Sequence, residues 1–201
     1  MRAGQFLTVR FPDGPGWSRA NPFSLSAAPD GRGLRITAKA LGDGSARLAH
    51  LRPGTRVLFE GPCGRLSSRA RSRRKIVLAG AGVGITPLRA LAEGLDYAPG
   101  DATLLYRYTD EPLFTGEFDR LAAEKGLHVV PLPGPRSSPD SVLGPAAGDD
   151  NELTALRGWI PDLADRDVFL CGPTAWTNGV ASLAIAAGVP TDRIHTESFG
   201  W

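Results

Sequence analysis

The chain has 201 residues, of which 42% are hydrophobic and 22% charged, and its net charge is +2. This composition excludes a disordered tail, and the balanced charge does not favour nucleic-acid binding. Two cysteines cannot form a disulfide framework, no apolar run reaches the roughly 20 residues of a membrane helix, and the N-terminus does not read as a secretion signal. We therefore expect a soluble, cytoplasmic enzyme or binding domain.

The first third of the chain is predicted to be an antiparallel β domain. Turn sequences such as PDGPG at 12–16 and PDGRG at 29–33 separate short apolar segments, and a short helix is predicted at 45–51. Short strands at this spacing predict a small barrel. The predicted strands cover residues 5–11, 22–27, 34–40 and 55–60.

The pattern of predicted elements changes after a polar, basic segment at 67–75. Beyond it, short apolar strands alternate with helical segments, which predicts a parallel sheet covered by helices on both faces. A Pro-, Gly- and Ser-rich stretch at 133–150 is predicted to be a loop. The predicted strands are 75–79, 102–108, 127–132, 167–171 and 193–199, and the predicted helices are 86–93, 116–125, 152–159 and 174–187.

The strongest local motif is IVLAGAGVGITPLRAL at 76–91, an apolar strand followed by glycines and a helix. Gly80, Gly82 and Gly84 would let the backbone approach a phosphate, Thr86 is a predicted N-cap, and Pro87 suits the first helical turn. The free N–H groups at the helix start would then face a pyrophosphate. A ligand-free tight turn and a methyltransferase-type glycine loop are the alternatives.

A second turn, CGP at 171–173, ends another buried strand in VFLCGPTAW. Cys171 would lie at the carboxyl end of a parallel strand, where open α/β sheets bind ligands. The alternative is a buried cysteine that packs as a small apolar side chain.

Seven segments in order resemble the motifs of the ferredoxin–NADP reductase superfamily: AGQF at 3–6, NPFSLSAAP at 21–29, GDGS at 42–45, GPCG at 61–64, GVGITP at 82–87, CGP at 171–173 and the ending HTESFGW. The resemblance implies an antiparallel flavin-binding β-barrel over residues 1–70. A doubly wound, parallel-sheet NAD(P)H-binding domain would follow over residues 71–201. The family's first barrel strands would lie ahead of AGQF, and we expect weaker flavin binding without them.

The NPFS motif looks most like the His-Pro-Phe-Thr/Ser of ferric reductases and NADPH oxidases, whose flavin and nucleotide domains follow a membrane haem domain. By this resemblance, NAD(P)H would reduce bound FAD, and electrons would pass to a membrane haem domain, a ferric chelate, an iron–sulfur protein or oxygen. The sequence departs from the motif at Asn21, where the family has Arg or His, and Arg19 is the candidate replacement for that charge.

The resemblance also implies individual roles. Ser24 would face flavin N5, Cys171 would flank the nicotinamide, Glu197 would stabilise charge or relay a proton, and Trp201 would cover the flavin face. These four are the predicted catalytic residues.

The predicted cofactor contacts follow the same motifs. Arg107 and Arg136 are candidates for the 2′-phosphate of NADPH, which we favour over NADH. No metal site is expected, because the three histidines lack metal-ligand spacing. The full predicted set for FAD and NADPH is Arg19, Asn21, Pro22, Phe23, Ser24, Leu25, Gly42, Gly44, Ser45, Gly80, Gly82, Gly84, Thr86, Pro87, Arg107, Arg136, Cys171, Gly172, Pro173 and Trp201.

Two questions stay open at this stage. The basic residues within 69–75 are either a solvated linker or a surface that attracts the inner face of the cell membrane. The function is that of a reductase domain of a membrane protein, of a soluble flavin or ferric reductase, or of a non-catalytic nucleotide-binding module with a degenerate flavin site.

Overall fold

The computed structural model describes residues 1–12, 20–39, 43–135, 137–138, 141–148 and 151–198. The strands are β1 (Phe6–Arg10), β2 (Asn21–Ser24), β3 (Leu58–Cys63), β4 (Ile76–Ala81), β5 (Ala102–Tyr108), β6 (His128–Pro133), β7 (Asp167–Gly172) and β8 (Ile194–Ser198). The α-helices are α1 (Asp43–Ala46), α2 (Ile85–Gly94), α3 (Thr115–Lys125), α4 (Glu152–Trp159) and α5 (Thr174–Ala186). Short 3-10 turns cover Arg47–His50, Gly82–Gly84, Gly144–Ala147, Leu163–Asp165 and Thr191–Arg193.

The N-terminal unit is a three-stranded antiparallel sheet in the order β2-β1-β3. The predicted alternation of β1 is confirmed, because Leu7 and Val9 point inward and join Leu25 in a small apolar cluster. The predicted strand at 34–40 is wrong: among its described residues the only pairing is a single bridge between Leu25 and Ile36. An apolar sequence makes a strand only where a neighbour supplies a continuous ladder, and this segment meets one for a single residue.

The C-terminal unit is a five-stranded parallel sheet in the order β6-β5-β4-β7-β8. Its three central strands, β5, β4 and β7, are buried on both faces, as their nearly continuous apolar sequences predict, whereas the edge strands β6 and β8 are only partly buried. On β4, Val77 and Ala79 pack into one apolar cluster, while Ile76 and Leu78 pack into another on the opposite face. The prediction of a doubly wound sheet after an antiparallel sheet is therefore confirmed.

The basic segment between the two units is held to the parallel sheet. The Asp167 carboxylate, at the start of β7, accepts hydrogen bonds from the backbone N–H of Ser72 at 2.6 Å and of Arg73 at 2.5 Å. Arg74 pairs with Asp101 at 2.9 Å and Lys75 with Asp162 at 2.5 Å, while Arg71 donates to backbone carbonyls. These bonds attach the segment to the parallel sheet, and carboxylates pair with two of its five basic side chains, those of Arg74 and Lys75.

Within the part of the chain that the structure describes, none of the helices is both long enough and apolar enough to cross a membrane.

Candidate functional site

The glycine turn after β4 uses its three glycines for different purposes. Gly82 is exposed, has a φ of +54°, and has no atom within 4 Å of the position where a Cβ would stand. A Cβ on Gly84 would lie 2.3 Å from the Cys171 carbonyl oxygen, and one on Gly80 would lie 2.9 Å from Leu88 of α2. Gly82 therefore leaves open space for a ligand, whereas Gly80 and Gly84 allow close packing inside the protein.

Helix α2 starts one residue earlier than predicted, and Thr86 is not its N-cap. Gly84 occupies the N-cap position, and the Thr86 hydroxyl donates to the Val83 carbonyl at 2.9 Å. Among the described residues, no side chain accepts a hydrogen bond from the N–H groups at this helix start, which need an acceptor. Pro87 lies in the first helical turn, as predicted. The start of α2, preceded by the exposed Gly82 in the 3-10 turn, therefore fits an anionic group such as a pyrophosphate.

The CGP turn meets the glycine turn at the carboxyl end of the parallel sheet. Strands β4 and β7 are neighbours, with Gly80 paired to Cys171. Gly172 ends β7, and Pro173 is exposed at the N-cap of α5. A Cβ on Gly172 would lie 3.0 Å from the Ala81 side chain, so this glycine also permits close packing between the two strand ends.

A continuous series of contacts joins the CGP turn to the antiparallel sheet. Cys171 pairs with Glu197 on β8, and a Cβ on Gly64 would lie 2.9 Å from the Glu197 carboxylate and 3.0 Å from the Phe6 ring. Phe6 pairs in turn with Ser24 on β2. The structure thus brings Ser24, Glu197, Cys171 and Gly84 into one row across both units.

Glu197 binds the backbone that follows β3. Its Oε2 accepts from the N–H of Arg65 at 3.1 Å and of Leu66 at 3.3 Å. The carboxylate is half-buried and reaches from the last described strand to the antiparallel unit. Its role in charge stabilisation or proton relay stays a prediction, while its role as a link between the two units is directly visible.

The Cys171 side chain is completely buried within the apolar cluster that α2 covers. Burial, with a smaller effect from the Glu197 charge, raises the pKa of the thiol far above its ordinary value. The thiol is therefore neutral and packs as an apolar group. The backbone carbonyl of Cys171 lies against Gly84, where the CGP turn meets the glycine turn.

The predicted flavin strand contributes side chains of unequal exposure. Ser24 and Leu25 are buried, Asn21 and Phe23 are half-buried, and Pro22 is exposed. Leu25 and Phe23 pack with the apolar cluster of the antiparallel sheet. Ser24 is therefore the polar side chain of this strand that lies next to the row of contacts, and Leu25 contributes packing.

The structure leaves several predicted residues without description. Arg19, Gly42, Arg136 and Trp201 lie outside the described residues. Gly44 lies in α1 together with Ser45, which is half-buried and has an interaction partner.

Arg107 lies inside β5, one residue before the end of that strand. It is 5% exposed, and its Nη1 donates to the Leu132 carbonyl at 2.8 Å. A Cβ on Gly144 would lie 3.0 Å from its Nη2, so the guanidinium also packs against the loop after β6. This buried position favours a role in holding that loop over direct contact with a 2′-phosphate, which stays an untested prediction.

Sequence reasoning did not single out Phe6 or the backbone N–H groups of Arg65 and Leu66 as parts of this site. A backbone donor has no sequence signature, and Phe6 entered the sequence analysis as a strand residue and as the last residue of the AGQF motif, without a role in the site. The GPCG motif at 61–64 was the available signal, because Gly64 allows Glu197 to approach.

The chain is similar to reductase proteins over almost its whole length, although no protein-family model matches it. It is 33% identical to the ferredoxin reductase component of 3-ketosteroid-9-alpha-monooxygenase from Mycolicibacterium smegmatis, over 98% of this chain and 55% of that protein. It is 31% identical to the flavohemoprotein of Vibrio cholerae, over 98% of this chain and 51% of that protein. The chain thus spans about half the length of these curated relatives.

Solved structures of reductase domains are also similar to this chain over almost its whole length. The flavohem-like FAD/NAD-binding domain of nitric oxide dioxygenase from Vibrio cholerae superimposes with a TM-score of 0.76 at 26% identity, covering 100% of this chain and 86% of that one. Ferredoxin-NADP+ reductase from Plasmodium falciparum shares the fold, with a TM-score of 0.73 at 14% identity, over 99% of this chain and 84% of that one.

The architecture that this chain shares with them is an antiparallel sheet joined to a doubly wound parallel sheet, with the glycine turn and the CGP turn at the carboxyl edge of the parallel sheet. These similarities are consistent with the predicted resemblance to the ferredoxin–NADP reductase superfamily, because the similar solved structures are FAD/NAD-binding and ferredoxin-NADP+ reductase domains.

Proposed function

We propose that this chain is the FAD- and NAD(P)H-binding part of a flavoprotein oxidoreductase. In this proposal, bound flavin accepts a hydride from the reduced nicotinamide and releases electrons to an acceptor. The observation that carries the proposal is the row of contacts from Ser24 through Phe6, Gly64 and Glu197 to Cys171. This row joins the strand that resembles the flavin motif to the turn that resembles the nicotinamide motif.

The residues present fit the two cofactors. Open space at Gly82 and the start of α2 suit the coenzyme pyrophosphate. Ser24 would hydrogen-bond the flavin edge, and the Glu197 carboxylate would fix the backbone at 65–66 beneath it. Bound flavin supplies the redox chemistry, and the protein orients and shields the reacting groups.

The two sheets correspond to two units, and we propose a boundary near residue 70. The Asp167 hydrogen bonds to residues 72 and 73 attach the following segment to the parallel sheet, which supports a division just before it.

For the acceptor, we propose a haem or oxygenase component. This rests on the named relatives, which are a flavohemoprotein and the reductase component of a monooxygenase. A membrane haem domain, ferric chelate or oxygen is the finer alternative that the NPFS motif favours. The ion pairs of Arg74 and Lys75 reduce the support for a membrane-facing basic surface.

The test is a visible absorbance spectrum of the purified protein with added FAD, followed by NADPH or NADH under nitrogen. We expect bound flavin with its visible band, and bleaching of that band within seconds of adding the preferred coenzyme. Absence of flavin binding at micromolar FAD would contradict the proposal and favour a non-catalytic nucleotide-binding module. Adding a one-electron acceptor such as cytochrome c should then restore the colour.

A Ser24→Ala variant separates a functional serine from a structural one. We expect slower bleaching with little change in the denaturant midpoint, because the serine would lose a contact to the flavin edge. Ser67→Ala, a buried serine near the linker, is the matched control and should leave bleaching unchanged.

A further inference from the structure

Helix α2 connects the coenzyme turn to the antiparallel unit. It starts at the glycine turn, and its later residues contact the segment that follows β2. Arg89 donates from Nη1 to the Ser26 carbonyl at 3.1 Å, and Glu93 accepts from the Ala28 N–H at 2.6 Å. At the helix end, a Cβ on Gly94 would lie 2.9 Å from the Ala3 side chain. The helix therefore contacts the other unit along its second half.

Four charged side chains form a network at this contact, which we call the charge network: Arg35, Arg89, Glu93 and Glu117. Arg89 is 2% exposed, and its guanidinium pairs with Glu93 and with Glu117 of α3, each at 2.6 Å. Arg35, from the antiparallel unit, pairs with the same Glu117 at 2.9 Å. Two cations and two anions thus balance, with Glu117 shared by arginines from both units.

The charge network holds the segment directly after Ser24. The Ser26 carbonyl accepts from Arg89 and also from Arg35 Nη2 at 2.5 Å. Arg35 Nε donates to the Ser26 hydroxyl at 3.2 Å, and the same hydroxyl accepts from Thr37 at 2.9 Å. Ser26 is therefore fixed through both its carbonyl and its side chain, two residues beyond the predicted flavin-facing serine.

Arg89 is the buried member of the network, and the other three side chains are partly exposed. A buried charge is a poor source of net stability, because desolvation offsets much of its attraction. Apolar side chains could fill the same space, but they would tolerate sliding between the units. Hydrogen bonds from a planar guanidinium have fixed directions and so favour one relative position. The charge network therefore fixes the relative position of the two units more than it raises the free energy of unfolding.

We propose that the charge network positions the flavin strand relative to the coenzyme turn and so sets the distance between the two reacting rings. This inference rests on the proposed function. Arg89 is 4 positions after Ile85, the first residue of α2, and it hydrogen-bonds the segment that directly follows the strand carrying Ser24. Arg35, Arg89 and Glu117 are thus positioning residues, which act on hydride transfer without touching either cofactor. Because a misplacement of about 1 Å can cost about a hundredfold in rate, small shifts at this contact should be visible in kinetics.

The test is Glu117→Gln, which keeps the size of the side chain and removes the charge that both arginines share. The control is Asp110→Asn, which removes the exposed ion pair between Lys39 and Asp110, another contact between the units. Flavin bleaching by saturating coenzyme is followed by rapid mixing under nitrogen. We expect Glu117→Gln to lower the rate constant for bleaching by about ten- to a hundredfold, with unchanged coenzyme KM and flavin affinity. Asp110→Asn should leave all three quantities unchanged.

A second readout needs no cofactor. In the flavin-free protein, we expect amide hydrogen exchange in the peptide covering 25–30 to be about tenfold faster in Glu117→Gln, with no change in β5. Arg35→Gln should give the same pattern, and Arg35→Lys should restore part of the protection.

The outcomes distinguish the positioning role of the charge network from the proposed oxidoreductase function. Faster exchange at 25–30 with a wild-type bleaching rate would overturn the positioning role and leave a local structural contact. A slower rate that is fully explained by lost flavin would overturn it too. Wild-type protein that binds flavin but is not bleached by either coenzyme would refute the proposed function, while the exchange result would still report on the contact.

Discussion

At the scale of single residues, Gly84 has the least freedom in the glycine turn. An added Cβ would lie 2.3 Å from the Cys171 carbonyl oxygen, and backbone cannot move aside as a flexible side chain can. We expect Gly84→Ala to lower the free energy of unfolding by about 1–3 kcal/mol, measured by urea denaturation. Gly116→Ala is the control: it lies in α3 with nothing within 4 Å, so it should be neutral or stabilising. A neutral Gly84→Ala would contradict the close packing of the two turns.

The two cysteines make a second residue-scale prediction. Cys63 is exposed, whereas Cys171 is buried and burial raises its thiol pKa. Since the thiolate is the reactive form, iodoacetamide at about pH 8 should label Cys63 and spare Cys171 until the protein unfolds. Mass spectrometry of the digested protein measures both sites in one sample. Labelling of native Cys171 at a rate similar to that of Cys63 would show that this corner opens readily.

At the scale of elements, Lys125 ties the end of α3 to the end of α2. Its Nζ donates to the carbonyls of Ala92 at 3.2 Å, Glu93 at 2.8 Å and Leu95 at 2.7 Å, and it lies 4.5 Å from the Tyr97 ring centre. We expect Lys125→Met to lower the free energy of unfolding by about 1–3 kcal/mol, because several carbonyls lose their donor. Lys39→Met, which removes an exposed ion pair, should change stability by less than about 1 kcal/mol. Equal effects in the two variants would show that Lys125 does not cap α2.

At the scale of the whole molecule, the contact between the units should weaken in acid. Burial raises the pKa of Glu117, but hydrogen bonding from Arg35 and the charges of Arg89, Arg35 and Arg120 outweigh it, so the pKa is lowered. Burial also raises the pKa of Glu93, and Arg89, the Ala28 N–H and the Arg35 charge outweigh that effect in the same way. The stabilisation is therefore complete above the ordinary value of 4.5 and is lost as the pH falls through the lower pKa of the folded state.

The measurement is the free energy of unfolding of wild type and Glu117→Gln between about pH 3 and pH 7. We expect the wild type to be the more stable protein at neutral pH and the difference to shrink in acid, where Glu117 is protonated in both states. A difference that stays constant over this range would show that the Glu117 charge does not stabilise the contact.

The sequence predicted the parallel sheet more accurately than the antiparallel one. Strand β5 and helix α4 have the predicted bounds, and β7 and α5 differ by a single residue. Buried strands and amphipathic helices carry strong periodic signals, and glycine turns separate them. The segment at 34–40 has a strand-like sequence, but strand formation needs a neighbour that pairs with it over several residues, and among the described residues it forms a single bridge, from Ile36 to Leu25.

The candidate site was predicted in part. Ser24, Glu197, Cys171 and Gly84 were chosen from motifs, and the structure brings them into one row. The sequence GAGVG does not show which glycine faces open space and which one packs closely. Gly82 and Gly84 differ because the Cys171 backbone lies against Gly84 and no atom lies close to the Cβ position of Gly82. In the sequence, Arg89 and Glu93 are four residues apart, which is the spacing of an ordinary ion pair on a helix surface. Their contacts with the other unit could not be predicted from that spacing.

By itself, the sequence determined the alternation of strands and helices, the two turns at the sheet edge and the family resemblance, because these follow from periodicity and from local backbone preferences. Only the tertiary structure decided that Arg89 is buried against Ser26, that Glu197 reaches the backbone at 65–66, and that the basic segment is bound by Asp167. Each of these contacts joins residues more than 60 positions apart. Such contacts form only when the two units pack together, and no local pattern encodes which donors and acceptors then meet.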